Sequence, residues 1–217
     1  SGVAETLGAG TWIINCSYDG NTNFTASSNT TNYVINKISS TLGLTPTTPI
    51  IYGTATDFET HESGCPVQLT CTLNMTDFVF SAGTVSANYS TPGNANYSAM
   101  SVVSTVVIDK ANPSTLMTIT GTTPVIYSTV SDFISSETNT EDGGCSYSTD
   151  KTNEVFGVGN WIFNYSTTGC TNYSAGSVIK TLIVNKNDSY ALGITRTTPI
   201  TYGTTTNFVG TGCPSQL

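Results

Sequence analysis

Few side chains in this sequence can do chemistry, and their spacing limits what they could do. The 217 residues include one histidine, His61, so any scheme that needs two histidines is excluded. His61 stands near Asp57, Glu59 and Glu62 with no nucleophile motif beside it, and is expected in a surface loop. Glu137, Glu141 and Asp142 could offer oxygens to a calcium ion, but their spacing does not follow an EF-hand loop, and a solvated acidic loop is expected. Lys37, Lys110 and Lys186 each end a hydrophobic run. A Lys–Asn isopeptide crosslink there would need a paired acid, and none is evident. No CxxC pair, Cys/His cluster, Gly-rich phosphate loop or paired-carboxylate motif occurs, which argues against zinc, nucleotide and hydrolytic chemistry. The sequence therefore predicts no catalytic residue, no metal, no cofactor and no enzymatic activity.

Two other residue types carry modification chemistry. Nine N-x-S/T sequons occur, at Asn15, Asn23, Asn29, Asn74, Asn88, Asn96, Asn164, Asn172 and Asn187, a modest excess over what the composition supplies. N-linked glycans are expected at several of them; the alternative is that these asparagines serve turns. Six cysteines, an even number, fit an oxidising compartment.

Composition supports a polar extracellular surface. Thr, Ser and Asn account for 85 residues, whereas Lys, Arg, Asp and Glu make up only 9%, with a net charge of −8. A chain with 6 Lys+Arg against 14 Asp+Glu cannot neutralise a phosphate backbone, so nucleic acid is not an expected partner. No apolar run approaches the roughly 20 residues of a membrane-spanning helix. No basic segment followed by an apolar stretch opens the sequence, so no signal peptide is expected, and a secreted protein would be seen here in a mature or cropped form.

The elements that position these residues recur. TTPIIYGTATDF, TTPVIYSTVSDF and TTPITYGTTTNF place Pro49, Pro124 and Pro199 at a constant spacing of 75 residues. Segments opening GTWIINCS, GTVSANYS and GNWIFNYS start at Gly10, Gly83 and Gly159, and runs ending in Lys close at Lys37, Lys110 and Lys186. Three markers with one period define a repeat. Residues 39–111 and 112–187 are complete units, 1–38 is the back half of one, and 188–217 is the front half of another. β-branched runs such as SVVSTVVID and SVIKTLIVN, separated by STPGN-type turns, predict strands and no long helix. The alternation in IIYGTATDF predicts a strand with Tyr52, Thr54, Thr56 and Phe58 on one face. Trp12 and Trp161, with Val85 between them in the repeat, are expected to fill the cores, and Tyr52, Tyr127 and Tyr202 to pack there or across strands. The predicted class is all-β, with tandem small immunoglobulin-like β-sandwich repeats of about 75 residues.

The order T-P-x-x-Y-G-T, then GCP-x-QL-T-C, then G-x-W, two N-Y-S triplets and V-I-x-K resembles tandem immunoglobulin-like repeats of prokaryotic cell-surface and filament glycoproteins, and is most similar to archaeal ones. The resemblance implies a spacer, stalk or fibre unit. Dividing the cysteines among the units predicts Cys65–Cys71 and Cys145–Cys170 within the chain. Cys213 is expected to pair with Cys16 of the next unit; a Cys16–Cys213 bond within one subunit is the alternative. A half unit exposes strand edges and an unfinished core. The expected function is a structural, glycosylated, extracellular or cell-surface filament or array that self-associates head to tail through its half domains. A long tandem array cropped to this window, or two halves that pack within one chain, remain alternatives for the half units. An adhesin stalk or glycan-binding module is the second functional reading.

Overall fold

In a computed structural model of the chain, residues 5–138, 144–189 and 191–213 are described. The chain is all-β and divides into two compact units, Ser1–Ala111 and Asn112–Leu217. Unit 1 opens with a long hairpin, β1 (Gly10–Tyr18) and β2 (Ser27–Ile35). There follow β3 (Gly43–Leu44), β4 (Ile50–Ile51), a 3-10 turn at Phe58–Thr60, β5 (Glu62–Ser63), β6 (Thr72–Leu73), β7 (Gly83–Thr91) and β8 (Met100–Asp109). Strands β4, β8, β7 and β6 lie in that order in one sheet, with β4 parallel to β8 and the other pairs antiparallel. β3 pairs with β5 in a separate two-stranded sheet.

Unit 2 opens with a 3-10 turn at Pro113–Thr115 and continues through β9 (Met117–Thr120), β10 (Val125–Ile126), β11 (Ile134–Glu137), β12 (Tyr147–Thr149), β13 (Gly159–Thr167) and β14 (Gly176–Asn185). It ends with the pair β15 (Gly193–Arg196) and β16 (Phe208–Thr211). The sheet order β10, β14, β13, β12 repeats that of unit 1, again with one parallel pair, β10 with β14. β9 pairs with β11.

The long strands form because their β-branched residues alternate. Along β8 and β14 every second residue turns inward, with Val106, Ile108, Leu182 and Val184 buried. The facing strands supply Ala87 and Tyr89 from β7, and Phe163 and Tyr165 from β13. In unit 1 this face joins Leu42, Leu44, Ile50 and Phe58 in one core. In unit 2 Val125, Phe133 and Phe156 complete the equivalent cluster, with Ile119 and Tyr127 packed against it. Burying a side chain of this size stabilises a fold by about 1.5–3 kcal/mol.

The buried phenylalanine is seated by polar side chains. The Asp77 carboxylate accepts the Phe58 N–H at 2.6 Å, and Asn153 Oδ1 accepts the Phe133 N–H at 2.9 Å. One residue earlier in each unit, Asp57 accepts the Thr47 N–H and hydroxyl, and Asp132 those of Thr122, at 2.6–2.9 Å. The Thr122 bonds hold the Asp132 carboxyl below its usual range. For Asp57, burial pushes upward, but the Thr47 bonds and nearby His61 outweigh it, and the net direction is again down.

Two expectations are corrected. The Tyr52–Phe58 segment is not a strand. β4 ends at Ile51, Thr54 N–H closes a turn onto Ile51 O, and Phe58 enters the core from a 3-10 turn. The turn needs a left-handed residue, supplied by Gly53 (φ 96°), Ser128 (φ 81°) and Gly203 (φ 87°). The tryptophans do not fill the cores. Trp12 is 40% and Trp161 37% exposed, because each indole N–H reaches out to a carbonyl, Gly8 O at 2.9 Å and Gly157 O at 2.8 Å. Tyr52 and Tyr127 pack against the two cores, whereas Tyr202 is exposed.

Three substitutions test the left-handed residues, two of them in this turn and one at Gly93 in the loop between β7 and β8. No atom lies within 4 Å of a Cβ added at Gly53, so Gly53→Ala should cost only the backbone strain, about 1–2 kcal/mol. Ser128→Gly should be neutral or stabilising by up to about 1 kcal/mol, because it relieves that strain. At Gly93 (φ 72°) an added Cβ would also fall 2.5 Å from Tyr97 O, so Gly93→Ala should be the most damaging of the three in thermal unfolding. Both aspartates have lowered folded-state pKa values. Their contribution is present above the ordinary carboxyl range and is lost as pH falls through the lowered folded values. The unfolding midpoint should therefore drop on acidification below about pH 4, and the Asp57→Asn/Asp132→Asn double variant should flatten that dependence.

Candidate functional site

The segments before residue 39 and after residue 187 leave open surfaces whose repeat equivalents are buried. Leu42 and Leu44 are buried in unit 1, but their repeat equivalents Leu192 and Ile194 are 73% and 71% exposed. Phe58 is fully buried and Phe133 nearly so, whereas Phe208 at the same repeat position is 63% exposed. The front half, β15 and β16, thus offers an uncovered apolar set. The back half, β1 and β2, does the same from the other side. Gly10 pairs with Ile35 in the register in which Gly83 pairs with Ile108, and Gly159 with Val184. Val106 and Leu182 are buried, but Tyr33 at their position is 56% exposed, and Ile14 stands open where Ala87 and Phe163 are buried.

The cysteines follow the same division. Disulfides join Cys65 to Cys71 and Cys145 to Cys170, with Cα–Cα distances of 6.2 and 4.9 Å. Cys16 and Cys213 are free and exposed. Gly212 (φ 88°) turns the chain into Cys213 as Gly64 (φ 78°) turns it into Cys65, and a Cβ at either glycine would collide with the backbone two strands' ends away, at Ala191 or Thr41. Cys65 packs against the core that contains Tyr89, and Tyr89 occupies the repeat position of Cys16.

Unit 1 also contains a joint between its opening hairpin and the loop at 92–99. In that loop Asn94 Oδ1 accepts the N–H groups of Asn96 and Tyr97 at 2.8 and 3.0 Å, and Gly93 provides the left-handed turn. Four bonds clasp it. Lys37 Nζ donates to Asn94 O at 2.8 Å, Ile38 N–H to Asn96 O at 2.8 Å, Ser98 N–H to Ile38 O at 3.0 Å, and Ala9 N–H to Asn96 Oδ1 at 2.8 Å. Sequence reading missed this joint; the spacing of G-N-x-N-Y-S from the Lys run was its visible signal. The loop at 19–26 has the same build, with Gly20 at φ 83° and Asn21 Oδ1 accepting the N–H groups of Asn23 and Phe24 at 2.9 and 3.0 Å.

The sequons divide by environment. Asn15 and Asn29 lie exposed on the open hairpin, and Asn23 and Asn96 lie in the two loops just described. Asn74 is exposed, with Oδ1 accepting the Asn88 N–H at 2.7 Å. Asn88 and Asn164 are half-buried, each with a buried Oδ1 that has no hydrogen-bond partner. Asn172 is 6% exposed, and Asn187 Oδ1 accepts the Ser189 N–H at 3.0 Å.

The other reactive residues are not gathered into a site. His61 caps the 3-10 turn, with Nδ1 2.9 Å from Asp57 O. Glu137 lies in β11 and accepts the Tyr165 hydroxyl, rather than standing in a solvated loop; Glu141 and Asp142 fall outside the described residues. Burial, then the Glu137 bond, pushes the Tyr165 hydroxyl upward. Among the described residues no three His, Cys, Asp or Glu side chains come together to hold a metal, and no helix is long and apolar enough to cross a membrane.

The contrast between covered and open positions can be measured. Phe58→Ala should lose about 3–5 kcal/mol of unfolding free energy, while Phe208→Ala should change the isolated monomer by less than about 0.5 kcal/mol. Equal losses in dilute monomer would show that position 208 is covered within one chain. No family model, curated protein or solved structure matches the chain, so its function is argued from these surfaces.

Proposed function

We propose that the chain is a non-enzymatic structural repeat of an extracellular or cell-surface filament, assembled head to tail through its half units. In this reading each repeat of about 75 residues is a small immunoglobulin-like sandwich. The front half at 188–217 of one copy is completed by the back half at 1–38 of the next. The observation that carries it is the set of residues that lie open in the halves at positions buried in the whole units, Leu192, Ile194 and Phe208 on one side and Ile14 and Tyr33 on the other. Covering that much apolar surface is the main driving force available to a chain with so few charges. The packing of Cys65 against the core that contains Tyr89 is the template for a bond between Cys213 of one copy and Cys16 of the next. Such a bond would join the two copies covalently once formed. N-linked glycans at exposed sequons such as Asn15 and Asn74 would solubilise the polar faces.

The second reading, an adhesin stalk or glycan-binding module, is favoured by the half-exposed indoles of Trp12 and Trp161. Their N–H groups are already bonded to backbone carbonyls, which leaves only ring faces for a sugar.

Sedimentation velocity, negative-stain electron microscopy and paired gels test the filament reading. The expected result is mass that grows with concentration, thin filaments, and a ladder of 217-residue steps on non-reducing gels that collapses on reduction. Cys16→Ser should abolish the ladder but leave non-covalent association. A monomer at every concentration, with no ladder, would overturn the proposal.

A further inference from the structure

The clasp in unit 1 has a second half-made copy in unit 2. Before β1, Trp12 holds the carbonyl of Gly8, and the next residue, Ala9, donates its N–H to Asn96 Oδ1. Before β13, Trp161 holds the carbonyl of Gly157 in the same way at 2.8 Å, and the next residue is Val158. After β2 come Lys37 and Ile38, which clasp the loop backbone; after β14 come Lys186 and Asn187 at the same repeat positions. Among the described residues, the Val158 N–H and the Lys186 ammonium have no partner. The complementary loop at 19–26 is equally unoccupied. It bonds only to itself among the described residues, curves around a recess of ≈ 490 Å³, and leaves Phe24 69% exposed.

We propose that the Val158 and Lys186–Asn187 end of unit 2 is a dedicated clasp for the 19–26 loop of a second copy of this chain. The bonds are those of the unit 1 joint carried over position by position. Lys186 Nζ donates to Asn21 O, Asn187 N–H to Asn23 O, Thr25 N–H to Asn187 O, and Val158 N–H to Asn23 Oδ1. Trp161 is a positioning residue, since its indole fixes the Gly157 carbonyl and so aims the Val158 N–H. Three of the four bonds end on backbone atoms, which explains how Ile38 in one joint and Asn187 in the other can occupy the same place. The charged member, Lys, is the one that is constant. The clasp rests on the head-to-tail reading but uses different surfaces from the half-unit completion. It fixes the angle at which a following repeat is held, whereas completion of the core supplies the affinity.

The test uses the full chain. Lys186→Met and Asn23→Ala should each weaken self-association by roughly tenfold, the cost of one charge-assisted or well-aligned bond, with unchanged thermal unfolding of the monomer. A positional readout accompanies it. In a Cys16→Ser/Cys213→Ser background, cysteines placed by Phe24→Cys and Asn187→Cys should crosslink between copies on oxidation, because Tyr97 and Ile38 form a β-bridge at these positions in unit 1. If the wild type associates but neither variant weakens it and no crosslink forms, the clasp is wrong and the head-to-tail reading survives. If the wild type remains monomeric and no crosslink forms, both fail together.

Discussion

A strand points every second side chain to the same side, so a ladder with one apolar face is incomplete until something lies over that face. That constraint organises this protein. Met100–Asp109 and Gly176–Asn185 each turn valine, leucine or isoleucine inward at alternate positions. The covering comes from the other half of the same repeat, where a short strand and a left-handed turn bring a phenylalanine onto the ladder, from a 3-10 turn at Phe58 and directly ahead of a strand at Phe133. Aspartate or asparagine then accepts that phenylalanine's backbone N–H, so the group that would be orphaned in an apolar core is satisfied. A hairpin without its cover, such as Gly10–Ile35, keeps its register and hydrogen bonds but leaves its apolar face wet.

The outward faces obey a different rule. Ser, Thr and Asn occupy many of them, as in Thr84, Ser86 and Asn88 or Ser101 and Thr105, with Ser86 and Thr105 in direct hydrogen bond across the strands at 3.2 Å. Neutral hydroxyls and amides keep the sheet wetted without building a strong field, so little of the fold depends on ionic strength. The ion pairs of His61 with Asp57 and of Lys151 with Asp150 lie on partly exposed side chains, and such pairs contribute little.

The all-β class was legible in the sequence because β-branched runs and Gly-Asn turns report local backbone preference directly. The segment from Tyr52 to Phe58 was not, because its polar–apolar alternation imitates a strand while Gly53 takes a left-handed conformation that ends one. The tryptophans misled for a related reason. Size suggests burial, but an indole N–H must find an acceptor, and the available carbonyls of Gly8 and Gly157 lie at the rim. The open apolar surfaces of the halves could be located by comparing repeats. Their exposure is a tertiary fact, set by what else is present, and no local pattern encodes it. The clasp around Asn94 and Asn96 left only the spacing of G-N-x-N-Y-S from the Lys run as its sign, since many of its bonded atoms are backbone atoms that leave little trace in residue type.

In each four-stranded sheet the entering strand runs parallel to the leaving one, Ile50–Ile51 beside Ile108–Asp109 and Val125–Ile126 beside Val184–Asn185. The start of the first and the end of the second therefore lie at opposite ends of their shared ladder. A pull on the two ends of such a unit slides the strands past one another instead of peeling them apart. The short ladder, extended by the Tyr52 and Tyr127 N–H bonds to Asp109 and Asn185, then resists in shear. Its bonds must yield together rather than one after another, so these few residues form a brittle latch that stays closed under tension until the load on all of them is exceeded at once.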